Sequence, residues 1–237
     1  MSLILIRSLL ISIPASLGYT AVLVTFSFAI LPFASRQQQA SLFRYWGRCM
    51  LWICRVRYRV RGLEHLVPGQ NYIFASNHIS LLDTPLLVSQ LPGPLCFLAK
   101  KELFSVPFMG WYLRRQGHIP IERSDPKATL RSMAEAARVI DQERKSLLSF
   151  PEGTRSTDAQ MLPFKEGTAM LALRSQTPIV PIAVVGTEKI MVAKSLEIRG
   201  GSVELRLGAP IPVTGFDTKY RGALTERLRQ EIEALHG

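Results

Sequence analysis

The sequence predicts an α/β protein, a mixed, largely parallel sheet flanked by helices, with an N-terminal hydrophobic helical membrane anchor. Three observations carry this. Beyond residue 62, short apolar runs alternate with helical patterns, as strand–helix–strand units around a parallel sheet do. The window from Ser8 to Ser35 is 28 residues without a charge. Finally, 47% of the chain is apolar and 20% charged, a composition that needs a core or a membrane and excludes a disordered basic tail. The 237 residues suit one sizeable domain. We divide them into an anchor (1–35), an amphipathic connecting helix (36–54) and a globular domain (55–237).

As a single helix the uncharged window would reach roughly 42 Å, more than the ~30 Å hydrocarbon core. Pro14 and Gly18 argue against one straight rod. The anchor is therefore expected as one span from about Ala15 to Ala34, or as two short helices dipping into one leaflet. A cleaved signal peptide competes, with Arg7 as a thin basic start and small residues at Ala34-Ser35. Seven Arg between residues 36 and 61 oppose it, since such an excess holds the following segment in the cytoplasm. The expected location is the cytoplasmic face of the inner membrane. Three Cys (49, 54, 96) form neither a disulfide framework nor a zinc pattern and read as reduced thiols.

In the connecting helix, Leu42, Phe43, Trp46, Met50 and Ile53 recur at helical spacing, with Arg44 and Arg48 off that stripe. Arg55 to Arg61 then alternates with period two. Four Arg (55, 57, 59, 61) share one face of a strand, and Val56, Tyr58 and Val60 take the other as core. The plainer alternative is an edge strand guarded by charge. Further strands are expected at 72–76, 95–99, 118–121, 146–150, 179–185 and 203–207. Helices are expected at 81–90, 107–115, 166–176 and 218–235. Asp125-Pro126 caps another helix, with Leu130, Met133, Ala134, Ala137 and Ile140 as its buried stripe, ending near Glu143.

The net charge of +11 first suggests nucleic acid. Its position corrects that: the first 61 residues hold eight Arg and no acidic residue, while the rest holds 21 basic against 18 acidic residues. A polybasic stretch directly after a hydrophobic one reads as a surface for anionic lipid. Without an aromatic–basic platform, no nucleic-acid partner is expected.

Three segments can do chemistry. Asn77-His78-Ile79-Ser80-Leu81-Leu82-Asp83 places a histidine in a strand-to-helix turn, with Ser80 and Asp83 as a capping-box-like pair. A carboxylate one turn on can hold the imidazole in one tautomer for use as a base. Gly117 to Arg123 ends a short strand on an Arg suited to phosphate. Phe150-Pro151-Glu152-Gly153-Thr154-Arg155-Ser156 breaks a buried strand into a tight turn that aims Glu152 and Arg155. All follow C-terminal strand ends, the ligand edge of an open α/β sheet, where Lys100 adds positive charge. No metal cluster is evident, and no Gly-x-Ser-x-Gly elbow suggests an acyl-enzyme.

Together with Val180-Pro181-Ile182, these ordered blocks resemble the glycerolipid acyltransferase family over about residues 40–215, and within it bacterial 1-acylglycerol-3-phosphate acyltransferases. The resemblance implies His78 as general base and Asp83 as its orienting partner. It implies Arg123 and Arg155 as phosphate binders, the turn Glu152, Gly153, Thr154 as the shape of the acceptor site, and Pro181 on the acyl-donor side. His118 receives no chemistry. The implied reaction is direct acyl transfer from acyl-CoA or acyl carrier protein to the 2-hydroxyl of lysophosphatidate, without a cofactor. Backbone N–H groups near the helix start are expected to hold the oxyanion. Alternatives are another lysophospholipid or a lyso-ornithine lipid as acceptor, or a noncatalytic basic membrane-binding protein.

Overall fold

The computed structural model describes residues 2–122, 125–156, 160–191 and 195–237. Seven strands form one sheet in the order β1-β7-β6-β2-β5-β3-β4: β1 (Val56–Arg61), β2 (Ile73–Ser76), β3 (Leu95–Lys100), β4 (Ile119–Ile121), β5 (Ser146–Ser149), β6 (Ile179–Val185) and β7 (Gly201–Leu207). Every pairing is parallel except β6 with β7. The mixed, largely parallel sheet read from the sequence is therefore present.

Alternate strand residues feed two cores, as the two-residue period requires. Phe74, Leu148, Val180 and Ile182 pack against α3 (Arg36–Ile53) and α4 (Asp83–Gln90). Ile73, Ala75, Leu147 and Ile179 face α6 (Pro126–Glu143), α7 (Gly167–Ser175) and α9 (Arg221–His236). Asp125 caps α6 by accepting from the Lys127 N–H at 2.8 Å. The stripe of α6 centres on Met133, Ala136, Val139 and Ile140, with Ala134 exposed; the Leu130 side chain lies outside the described set.

Pro181 sits in a central strand, where a missing N–H is normally excluded. It is tolerated because Gly208 lies beside the ring, donating its N–H to the Pro181 carbonyl at 2.9 Å. Its register partner on the other side is Ala75 of β2.

The N-terminal helix runs from Leu3 to Ile30, as α1 (Leu3–Arg7), a π segment (Ser8–Ser12) and α2 (Ile13–Ile30). Pro14 does not break it, against the expectation of a divided rod. The wider i→i+5 turns just before the proline absorb the missing donor and the ring clash. This helix buries Ser8, Ser12 and Ser27 along with Leu23 and Val24, while Leu10, Ile11, Leu17, Val22 and Phe26 are exposed. Two of the buried hydroxyls bond within and beyond the helix: Ser8 donates to the Ile4 carbonyl at 2.7 Å and accepts from the Ile198 N–H at 2.8 Å, and Ser27 donates to the Leu23 carbonyl at 2.7 Å. Ser35 and Gln38 then form a reciprocal capping box that starts α3.

β1 departs from the expected alternation. Arg55 has φ 57° and belongs to the turn after α3, so three Arg, not four, lie on the strand. Tyr58 is exposed and Val60 half-buried, because β1 is an edge strand with one neighbour and its outer half has nothing to pack against.

Candidate active site

The turn after β2 is held from three directions. Asn77 extends the sheet with its side chain, accepting from the Val184 N–H at 2.8 Å and donating to the Val184 carbonyl at 3.0 Å. His78 follows, its backbone N–H donating to Glu152 Oε1 at 2.7 Å and its carbonyl accepting from the Ser156 N–H at 2.9 Å. Its ring stacks on Phe150, centroids 3.9 Å apart and planes 16° from parallel.

His78 Nδ1 lies 2.9 Å from Asp83 Oδ2. The same oxygen accepts the Ile79 and Ser80 N–H groups, each at 2.8 Å, and Oδ1 accepts the Thr187 hydroxyl at 2.6 Å. Asp83 is fully buried, so these four donors replace the water a buried carboxylate needs. With Nδ1 committed as donor to a carboxylate, Nε2 is left as the basic nitrogen.

Half of the expected capping box forms. Asp83 reaches back to the Ser80 N–H, but Ser80 Oγ accepts from Leu82 N at 3.3 Å. The backbone N–H groups of His78, Ile79 and Ser80 all go to carboxylates, so these three are not available to an oxyanion.

Glu152 is buried, and its second oxygen accepts the Leu162 N–H at 2.8 Å. Burial pushes its carboxyl above the ordinary range, partly offset by those backbone hydrogen bonds. It braces the His78 turn from behind and is not among the residues that line the cavity; its effect on the site runs through the turn. Gly153 has φ 72°, the left-handed conformation open to glycine. A Cβ there would press on the Lys165 side chain at 3.1 Å.

His78, Gly153, Thr154, Arg155 and Lys100 line one cavity of about 1000 Å³, together with Lys165. Lys100 is exposed and pairs with Glu102 at 3.2 Å. Arg155 is exposed as well. From this cationic end the cavity turns apolar, past Phe97 and Leu98 of β3 and Met109, Tyr112 and Leu113 of α5 (Met109–Arg115), to Leu23 and Val24 of α2 and Phe43 and Trp46 of α3. It opens at the C-terminal ends of β2, β5 and β3, where the turns after β2 and β5 lead to helices on opposite faces of the sheet, the edge expected for a ligand.

Arg123 lies outside the described residues. Pro181, implied on the donor side, is not among the cavity-lining residues; its place is the β6–β7 packing. Among the described residues no group of three or more His, Cys, Asp or Glu could hold a metal. Sequence reasoning missed Thr187 and Lys165. Thr187 stands 104 residues from Asp83 and has no spacing signal, whereas Lys165, a cation closing the irregular loop after the glycine turn, had a weak one.

A family model described as Acyltransferase matches residues 57–185. A 1-acyl-sn-glycerol-3-phosphate acyltransferase of Limnanthes douglasii is 39% identical over 168 residues, covering 71% of this chain and 56% of that protein. The alpha form from Homo sapiens is 33% identical over 177 residues, covering 75% and 62%. The chain thus spans under two thirds of the length of these relatives. The crystal structure of the 1-acyl-sn-glycerophosphate acyltransferase PlsC from Thermotoga maritima aligns with a TM-score of 0.76 at 24% identity, covering 97% of both chains; at that identity it speaks for the fold.

Proposed function

The chain belongs to the acyltransferase family, and from that premise we propose that it transfers an acyl group from an acyl thioester to the 2-hydroxyl of 1-acyl-sn-glycerol-3-phosphate, giving phosphatidic acid. The observation that carries this reading is His78, tied through Nδ1 to a buried Asp83 at 2.9 Å and lining a cavity that is cationic at its mouth and apolar in depth. An amphipathic ligand with an anionic head and a long chain has that polarity.

In the proposed step His78 Nε2 takes the proton of the acceptor hydroxyl as its oxygen attacks the thioester carbon. Collapse of the tetrahedral intermediate expels the thiolate, which takes the proton back from the imidazolium. Asp83 stabilises that imidazolium and fixes its tautomer. Arg155, Lys165 and Lys100, with Arg123, are assigned to the acceptor phosphate, turning binding energy into orientation. Acyl-CoA or acyl carrier protein serves as donor, and no cofactor is assigned.

We assign the protein to a membrane surface, at its cytoplasmic face. The helix Leu3–Ile30 is long and apolar enough to cross a membrane, and its exposed apolar side and the Arg excess that follows support contact with anionic lipid.

His78→Ala is expected to lower phosphatidic acid formation from lysophosphatidate and acyl-CoA by roughly 10²- to 10⁴-fold. Near wild-type turnover in that variant would sink the mechanism. Arg155→Ala should raise the KM for lysophosphatidate and leave the donor KM nearly unchanged; the reverse pattern would assign Arg155 to the donor.

A further inference from the structure

We infer that Thr187 is a positioning residue for the base, acting on His78 through Asp83. The inference rests on His78 being the proton acceptor. Asp83 divides its donors unequally. Oδ2 receives His78 Nδ1 and two backbone N–H groups, whereas among the described residues Oδ1 has one donor, the Thr187 hydroxyl at 2.6 Å.

Thr187 is buried and occupies the first position of a short helix, α8 (Thr187–Ile190), directly after β6. Gly186 precedes it with φ 95°, a conformation that disfavours other residues, and turns the chain so that the hydroxyl meets the carboxylate. The same strand end clamps Asn77 through both polar groups of Val184. β6 and the start of α8 therefore template the histidine turn at both ends, the strand backbone at Asn77 and the Thr187 hydroxyl at Asp83.

Two consequences follow from chemistry. Without the hydroxyl, a buried carboxylate oxygen loses its partner and the carboxylate plane loses one of its fixed points. A hydrogen bond on Oδ1 also draws negative charge away from Oδ2, so its removal strengthens the pull of Oδ2 on the His78 proton. Imidazolium then persists to higher pH, and the acid limb of kcat/KM moves upward. The charged groups around the pair are Glu152 on the His78 backbone N–H, Glu188 on the Gly186 N–H at 3.0 Å, and Arg155 and Lys165 on the cavity wall. None of them changes in the variants below.

The test uses the full chain with lysophosphatidate and acyl-CoA across a pH series. Thr187→Val should lower kcat by about 10- to 100-fold, the effect of one unmet buried acceptor. Both KM values should stay within about twofold, and the acid limb should rise by about half a pH unit or more. Thr187→Ser should restore rate and limb. Thr187→Cys, a weaker donor of similar size, should fall between, and it supplies the reading if the valine variant does not fold. Wild-type rate and pH profile in Thr187→Val or Thr187→Cys overturns the inference, as does a rate loss with an unmoved limb that serine does not rescue. Full activity in His78→Ala would instead overturn the base assignment itself, a separate result.

Discussion

Asp83 is the side chain on which the site turns, and its chemistry is specific to a carboxylate. Asp83→Asn keeps the shape but offers one acceptor oxygen and an NH₂ where four donors converge. The imidazole loses its tautomer lock, so kcat is expected to drop by roughly 10²- to 10⁴-fold, and the donor left facing the NH₂ lowers the melting temperature as well; wild-type kcat in the folded variant would mean that Asp83 serves the fold alone. His118 shows the opposite case, a histidine kept from chemistry. Its ring stacks on Phe97 with centroids 3.8 Å apart, and burial, with Lys145 nearby, lowers its pKa to about 3. The unfolded chain therefore binds a proton that the folded protein refuses between about pH 6.5 and 3. Stability is full above that window and declines as pH falls through it, by up to about 1.4 kcal/mol per pH unit. His118→Phe should flatten that part of the stability–pH curve measured by denaturant unfolding; an unchanged slope would contradict it.

Helix α3 packs on α4 through small residues, which its apolar stripe does not advertise. The sequence pattern points to Leu42, Phe43, Trp46, Met50 and Ile53, but the buried line is Ala40, Phe43, Gly47 and Leu51. A Cβ on Gly47 would lie 2.6 Å from the Pro85 carbonyl oxygen and 3.0 Å from Ser89 Cβ, so Gly47→Ala must part the helices. We expect a loss of about 1–3 kcal/mol, read as a lower melting temperature, and with it lower activity, because α4 begins at Asp83. The N-terminal helix was legible as apolar and long, but not its continuity through Pro14. That depended on a π segment, a backbone adjustment that leaves no mark in hydropathy.

Across the whole molecule, the charge read from the first 61 residues does not form one uniform surface. β1 runs antiparallel to β6, so Arg55 and Arg57 lie at the sheet edge that carries His78, and Arg61 lies towards the opposite edge beside Glu204 at 3.8 Å. Replacing Arg55 and Arg57 with Ala should weaken binding of the full chain to anionic vesicles by up to several-fold per residue, corresponding to at most about 1 kcal/mol each, and less at high salt. Replacing Arg59 and Arg61 should do less; equal losses would show that charge count, not position, governs docking.

Sequence alone determined what is local in the chain: the strand–helix rhythm, the uncharged N-terminal stretch, and the pairing of His78 with Asp83 five residues on, where one turn of backbone fixes the distance. It also marked the glycine turn that presents Thr154 and Arg155, because such turns are written in neighbouring residues. Folding decided everything that joins distant segments. It set Glu152 behind the turn rather than in the cavity, committed the N–H groups of His78, Ile79 and Ser80 to carboxylates, and gave Pro181 to the sheet. It also brought Thr187 to Asp83 from 104 residues away. Contacts of that kind depend on which strand ends up beside which, and no spacing along the chain records strand order.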